Sequence, residues 1–276
     1  MGKIIFLDVD GTLIDYKQEL PMSAKTAIDG ARKNGHKVYL CTGCSLKEIE
    51  VHHWDLEYDG MIGGNGCYIE SNGTIVKHDT LSLAECTHFV EWCKAKNLAF
   101  RLECNSGIYL SDDYLERSLL ARVRYERGKD ATIQPEDKAI LREGWYENEN
   151  LYRDDVNKTA FVLNSYQDYL DAVEEFANLK VGTWGGVGEN ALYGDVGVAN
   201  VTKASAIKEL LNYLKADVKD TLGFGDAKSD IPMFECCEIA VAMGNSGPEA
   251  KEAADYITDD VNEDGLYNAF RHFQII

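Results

Sequence analysis

The sequence predicts an α/β protein built on a parallel sheet, with a separate α+β domain inserted into it. Three observations carry this expectation: short apolar runs that end in small or acidic residues, helical patterns that follow them, and a middle stretch of paired strands and helices. A chain of 276 residues is long enough for one large core or two modest ones. Only four prolines and an apolar content of 45% fit ordered globular structure rather than disorder.

The apolar runs at residues 4–7, 38–40, 221–224 and 239–243 read as buried parallel strands. A helix over 23–34 follows the first, with Ser23 as its N-cap and Gly35 as its stop, and this order makes a βαβ unit. Gly63, Gly64, Asn65 and Gly66 form a turn cluster, and residues 68–76 read as a hairpin around Asn72 and Gly73 that acts as linker and flap. Next come helix, strand, strand and helix, then a strand over 159–163, a helix over 166–178 and a strand over 181–184. Ala206, Ile207, Leu210, Leu211 and Leu214 recur at helical spacing, which marks the return of the first core. The expected division is 1–82 for the first part of the core, 83–189 for the insert and 190–276 for the second part.

Composition excludes some functions. A formal charge of −19 argues against nucleic acid as a partner, because such binding neutralises phosphates with lysine and arginine. The first apolar run is short and ends on an acid, unlike a signal segment, and no stretch of about 18 apolar residues occurs, so no membrane partner is expected. Phe6 stands where a myristoylation motif wants Ser or Thr. The expectation is a soluble, cytosolic protein. The eight cysteines are scattered and read as reduced thiols; Cys41 and Cys44 have zinc or redox spacing, but no second pair completes a site. His52 and His53 read as a solvated face of a polar helix.

The chemistry sits at strand ends. Asp8 closes the first strand and Asp10 follows in the turn, so one carboxylate can act as nucleophile while the other handles protons, with Gly11 permitting the sharp turn. Two carboxylates so close call for an oxygen-seeking divalent cation, and magnesium fits best. Asp226 and Asp230 close another strand in the same way and complete the metal set, ahead of a helix with Pro232 in its first turn. Thr42 and Gly43 after the second strand, and Lys203 at the start of the returning helix, offer a hydroxyl, backbone N–H groups and an ammonium to a phosphate.

The order Asp-x-Asp-Gly-Thr, Thr-Gly, Lys, Gly-Asp-x-x-x-Asp resembles the haloacid dehalogenase superfamily, and the insert resembles the large α+β cap of its Cof-type sugar-phosphatase branch. The resemblance implies a Rossmann-like parallel-sheet core and a phosphatase acting on a small phosphorylated metabolite, a sugar phosphate, through an aspartyl-phosphate on Asp8. It makes Asp10 the general acid and base, Thr42, Gly43 and Lys203 the phosphate binders, and Asp8, Asp226 and the Asp10 carbonyl the holders of Mg2+. Asp230 supports them through water or hydrogen bonds, and Asn65 lies in a segment this branch places near substrate. Two departures stand out: Cys44 replaces an arginine and Ser229 an asparagine, which bears on substrate contacts. A phosphomutase and a silent metabolite-binding protein are the alternatives. Arg101, Glu103, Lys158 and Trp184 of the insert belong either to the substrate pocket or to its exterior.

Overall fold

The computed structural model describes residues 2–128, 130–186 and 188–276. The chain begins with β1 (Ile4–Leu7), α1 (Met22–Lys33), β2 (Lys37–Cys41), α2 (Leu46–Glu50), β3 (Gly60–Gly63), β4 (Tyr68–Ser71) and β5 (Thr74–His78). It continues through α3 (Leu83–Ala95), β6 (Phe100–Cys104), β7 (Gly107–Leu110), α4 (Tyr114–Arg127), β8 (Trp145–Tyr146), β9 (Val156–Val162), α5 (Tyr166–Glu175), β10 (Lys180–Trp184) and β11 (Tyr193–Gly197). It ends with α6 (Lys203–Leu214), β12 (Thr221–Gly225), α7 (Ile231–Phe234), β13 (Ile239–Ala242), α8 (Pro248–Ala253), β14 (Tyr256–Ile257) and α9 (Gly265–His272). Two compact units result: the first holds the chain up to Gly43, His53–His78 and Val201–Ile276, and the second holds Cys44–His52 and Asp79–Asn200.

The first unit is built on an eight-stranded sheet in the order β14-β13-β12-β1-β2-β3-β4-β5. β1 lies between β2 and β12, parallel to both, and its four residues are buried on both faces, as a continuous apolar run requires. Ile4 and Phe6 join Tyr39, Ile62, Ile207, Leu210 and Met233 in one core, which places α6 and α7 on that face. The parallel register brings the carboxyl ends of β1, β2 and β12 to one edge. There the chain leaves the sheet as Asp8, Thr42 and Asp226.

Three local expectations are corrected here. The hairpin does turn at Asn72 and Gly73, whose φ values of 48° and 76° are those of a left-handed turn. However, β4 and β5 are not a linker and flap: β4 pairs antiparallel with β3, β5 pairs antiparallel with β4, and together they extend the main sheet. α1 starts at Met22 rather than after Ser23, because Pro21 takes the extended N-cap position and lacks an N–H that would need a partner. His52 and His53 lie beyond α2, where His53 adopts φ 50° and the helix has ended.

The second unit carries a six-stranded sheet in the order β10-β11-β9-β6-β7-β8. Phe89, Trp92, Phe100, Phe161 and Phe176 form its main core, with α3 and α5 on that face. β11 belongs to this sheet, paired antiparallel with both β9 and β10, so the unit runs past the expected limit at 189 to Asn200. None of the eight cysteines is joined in a disulfide.

Candidate active site

All four acids predicted from the sequence lie in the first unit. Asp8 follows β1, its N–H donating to the Phe224 carbonyl at 2.9 Å, and it is only 7% exposed. Lys203 is the first residue of α6, whose N-cap Thr202 accepts from the Ser205 N–H at 3.1 Å. That cap fixes the start of the helix and turns the Lys203 side chain inward. Its Nζ donates to Asp8 Oδ1 at 2.6 Å and to Asp230 Oδ1 at 2.5 Å, with all three residues buried. Asp230 Oδ2 accepts from the N–H groups of Asp226 and Ala227 at 3.1 and 3.0 Å. Asp230 therefore ties the loop after β12 to the ammonium.

Asp8, Asp226 and Asp230 each offer a carboxylate oxygen within 4.8 Å of the others. Asp226 Oδ2 accepts a hydrogen bond from the Tyr16 hydroxyl, while its Oδ1 is buried with no hydrogen-bond partner. Three buried carboxylates face one ammonium, a balance that costs several kcal/mol unless another cation joins them. An oxygen-only donor set with one open buried oxygen fits a hard divalent cation such as magnesium. Burial and then Asp230 push the Asp8 carboxyl well above its ordinary range. Burial likewise pushes Asp226 up to about 6. For Lys203 burial acts the other way, but Asp230 and Asp8 outweigh it and hold the ammonium well above its usual value.

Gly11 is required by this crowding. Its φ is +80°, and a Cβ there would lie 2.3 Å from Asp226 Oδ2. Gly11→Ala should therefore displace Asp226 and lower the unfolding free energy by about 2 kcal/mol in urea melts. An unchanged midpoint would mean that the turn relaxes without strain.

The remaining predicted residues are placed as follows. Thr42 is buried; its N–H donates to the Ile62 carbonyl at 2.8 Å, and its own carbonyl accepts from the Asn65 N–H at 3.1 Å. Asn65, expected only to lie near substrate, sits in a 3-10 turn (Gly64–Gly66) at φ 57° and borders Thr42 through this hydrogen bond. Gly43 is half-buried and ends the first segment of the first unit, and Cys44, also half-buried, opens the second unit. Ser229 is exposed on the turn before α7. In the second unit Glu103 is 1% exposed and engages two cations, Arg101 Nη2 at 2.7 Å and Lys158 Nζ at 3.0 Å, while Trp184 stacks on Tyr193 at 3.9 Å.

Three residues at the acid cluster escaped the sequence reading. Besides Tyr16, Gln18 Nε2 donates to Asp10 Oδ1 at 2.9 Å. Asn245 Nδ2 donates to the Gly11 carbonyl at 2.8 Å and is itself held by the Val261 N–H at 3.0 Å. No sequence signal marks them, since each is an ordinary loop residue that reaches the site only through the fold.

Comparison with known proteins agrees with this geometry. The family described as haloacid dehalogenase-like hydrolase matches residues 5–270. The YkrA protein of Bacillus subtilis strain 168 is 24% identical over 281 residues, covering 100% of this chain and 99% of its own. Phosphatase YwpJ of the same organism is 23% identical, covering 98% and 99%. Among solved structures, a protein from Geobacillus kaustophilus HTA426 superposes with a TM-score of 0.81 at 22% identity, over 100% of both chains. A phosphatase of the haloalkanoate enzyme superfamily from Bacteroides thetaiotaomicron does so with a TM-score of 0.77 at 23% identity, over 100% of this chain and 96% of its own.

Proposed function

The chain belongs to the haloacid dehalogenase-like hydrolases and is a phosphoric monoester hydrolase among them; on that premise we propose that it hydrolyses a small phosphorylated metabolite, a sugar phosphate, with Asp8 as nucleophile. The observation that carries this reading is the Lys203 ammonium between Asp8 and Asp230, beside an Asp226 whose second oxygen is open.

Lys203 holds Oδ1 of Asp8 and fixes the plane of the carboxylate, so that Oδ2 is left to attack phosphorus in line. As the Asp8 O–P bond forms and the P–O bond to the alcohol breaks, Asp10 gives its proton to the departing oxygen. Asp10 then takes a proton from water, whose oxygen attacks the aspartyl phosphate and releases Asp8 and inorganic phosphate. Gln18 donates to one oxygen of Asp10 and helps hold its carboxyl in place. Thr42, the Gly43 N–H and Lys203 offset charge on the equatorial oxygens. Asp8, Asp226 and the Asp10 carbonyl would hold magnesium, which supplies further positive charge against the same oxygens. Asp230, committed to Lys203 and two N–H groups, would keep this set in place. The departures at Cys44 and Ser229 touch none of these steps.

A panel of phosphorylated metabolites, assayed for released phosphate, tests the proposal. Activity should vanish with a chelator and return with magnesium; turnover that survives chelation would remove the metal from the mechanism. The pH dependence follows from Asp226, which carries a proton below about 6 in the metal-free site. A cation must displace that proton, and burial and Asp230 raise the Asp8 carboxyl in the same direction, so magnesium affinity should be lower at pH 5 than at pH 7. Calorimetric titrations at pH 5 and pH 7 read the difference directly, and equal affinities would place the cation away from Asp226.

A further inference from the structure

Tyr16 makes a contact that none of the roles above uses. Its hydroxyl donates to Asp226 Oδ2, on the carboxylate whose Oδ1 is buried without a hydrogen-bond partner. Yet the residue is 67% exposed, so its ring buries little apolar surface and packing does not account for its position. The loop that carries it is well organised: Asp15 Oδ1 accepts from the N–H groups of Lys17 and Glu19, each at 2.9 Å, and the Asp15 N–H donates to the Glu19 carbonyl at 3.0 Å. Gly11 leaves the space, since a Cβ there would lie 2.7 Å from the Tyr16 hydroxyl. A built loop, a cleared path and a hydroxyl aimed at one oxygen of a metal-binding acid are more than an exposed tyrosine needs.

We propose that Tyr16 is a positioning residue that sets which divalent cation the acid cluster accepts. The inference rests on the reading of these acids as a magnesium site. A carboxylate with both oxygens available can engage a cation through the pair of them, an arrangement that calcium takes readily in its larger and more variable shell. Magnesium demands near-octahedral geometry and is content with one oxygen from each carboxylate. By donating to Oδ2, the Tyr16 hydroxyl takes up one of its lone pairs and makes it a poorer partner for a cation than Oδ1, which disfavours engagement through both oxygens. The same hydrogen bond keeps the carboxylate from rotating, so its orientation is set whether or not an ion is bound. The selectivity is thus stored in a residue that touches neither the substrate nor the reacting atoms.

The test is Tyr16→Phe, which keeps the ring and removes the hydroxyl. Magnesium and calcium are titrated calorimetrically into chelator-stripped wild type and variant, with urea midpoints recorded for both. Calcium affinity relative to magnesium should rise by about tenfold in the variant, the worth of one hydrogen bond to a charged group. The urea midpoint should stay close to that of wild type, as expected for an exposed side chain. An unchanged calcium to magnesium ratio would overturn the proposal, and so would an equal weakening of both ions, which would make Tyr16 a latch for its loop. Failure of wild type to bind either ion would overturn the magnesium reading itself, an outcome distinct from an unchanged ratio.

Discussion

Replacing Asp8 by Asn is expected to cut phosphate release by about four orders of magnitude or more while leaving the fold intact. The amide has the shape of the carboxylate but neither its nucleophilicity nor its charge toward a cation. Folding should survive because Lys203 keeps Asp230 at 2.5 Å and the strand around residue 8 is held by backbone bonds to its neighbours. Stability should even rise without metal. Burial and Asp230 hold the folded pKa of Asp8 above its unfolded value, so the charged form costs stability at any pH above that folded pKa. Asn removes this cost. A urea melt of the metal-free variant at pH 8 should therefore show a midpoint equal to or above that of wild type, and appreciable turnover by such a folded variant would sink the nucleophile assignment.

Lys203→Ala should do damage of two kinds at once. Activity falls by about two to three orders of magnitude, the usual loss when one preorganised positive group is removed from a transition state. In addition, the folded state loses about 3 to 5 kcal/mol, because the substitution strands two buried carboxylates without the cation that bridged them. The two losses can be separated. Lowering the pH lets the stranded acids take up protons, and magnesium replaces part of the missing charge by binding the folded state alone, so either condition should restore much of the urea midpoint. Neither restores full activity. A variant as stable as wild type at pH 8 without metal would show that the ion pair is not what holds these acids together.

The residues most legible in the sequence are those whose placement is local. Asp8, Asp10 and Asp226 follow strands that announce themselves as short apolar runs, and a strand end in a parallel sheet has one place to go. Lys203 was legible for a similar reason, since the periodicity of α6 gives its first turn. Tyr16, Gln18 and Asn245 were not, because their partners are made by tertiary closure: Tyr16 meets an acid 210 positions away, and Asn245 a carbonyl 234 positions away. The hairpin at Asn72 shows the same division. Its turn is fixed by two adjacent residues, but which strand it pairs with is not a local property. β11 was hidden for another reason. Tyr193-Gly-Asp-Val-Gly197 lacks the alternation of a strand, and Gly194 is needed because a Cβ there would lie 2.2 Å from the Phe161 ring. Cross-strand packing demanded a residue with poor strand propensity.

The place of β1 in the sheet also sets a timetable. β2 leaves the ribosome soon after β1, but β12, the other neighbour of β1, follows β1 by more than two hundred residues. At a synthesis rate of about 5 to 20 residues per second, one side of β1 stays unpaired for on the order of ten seconds or longer. Its free N–H and C=O groups are a template for a wrong partner throughout that interval. Every residue of the second unit emerges before β12 does, so that unit can close as a body of its own while the first is still a partial sheet. The nascent protein thus carries Asp8 and Asp10 long before it receives the ammonium and the remaining acids.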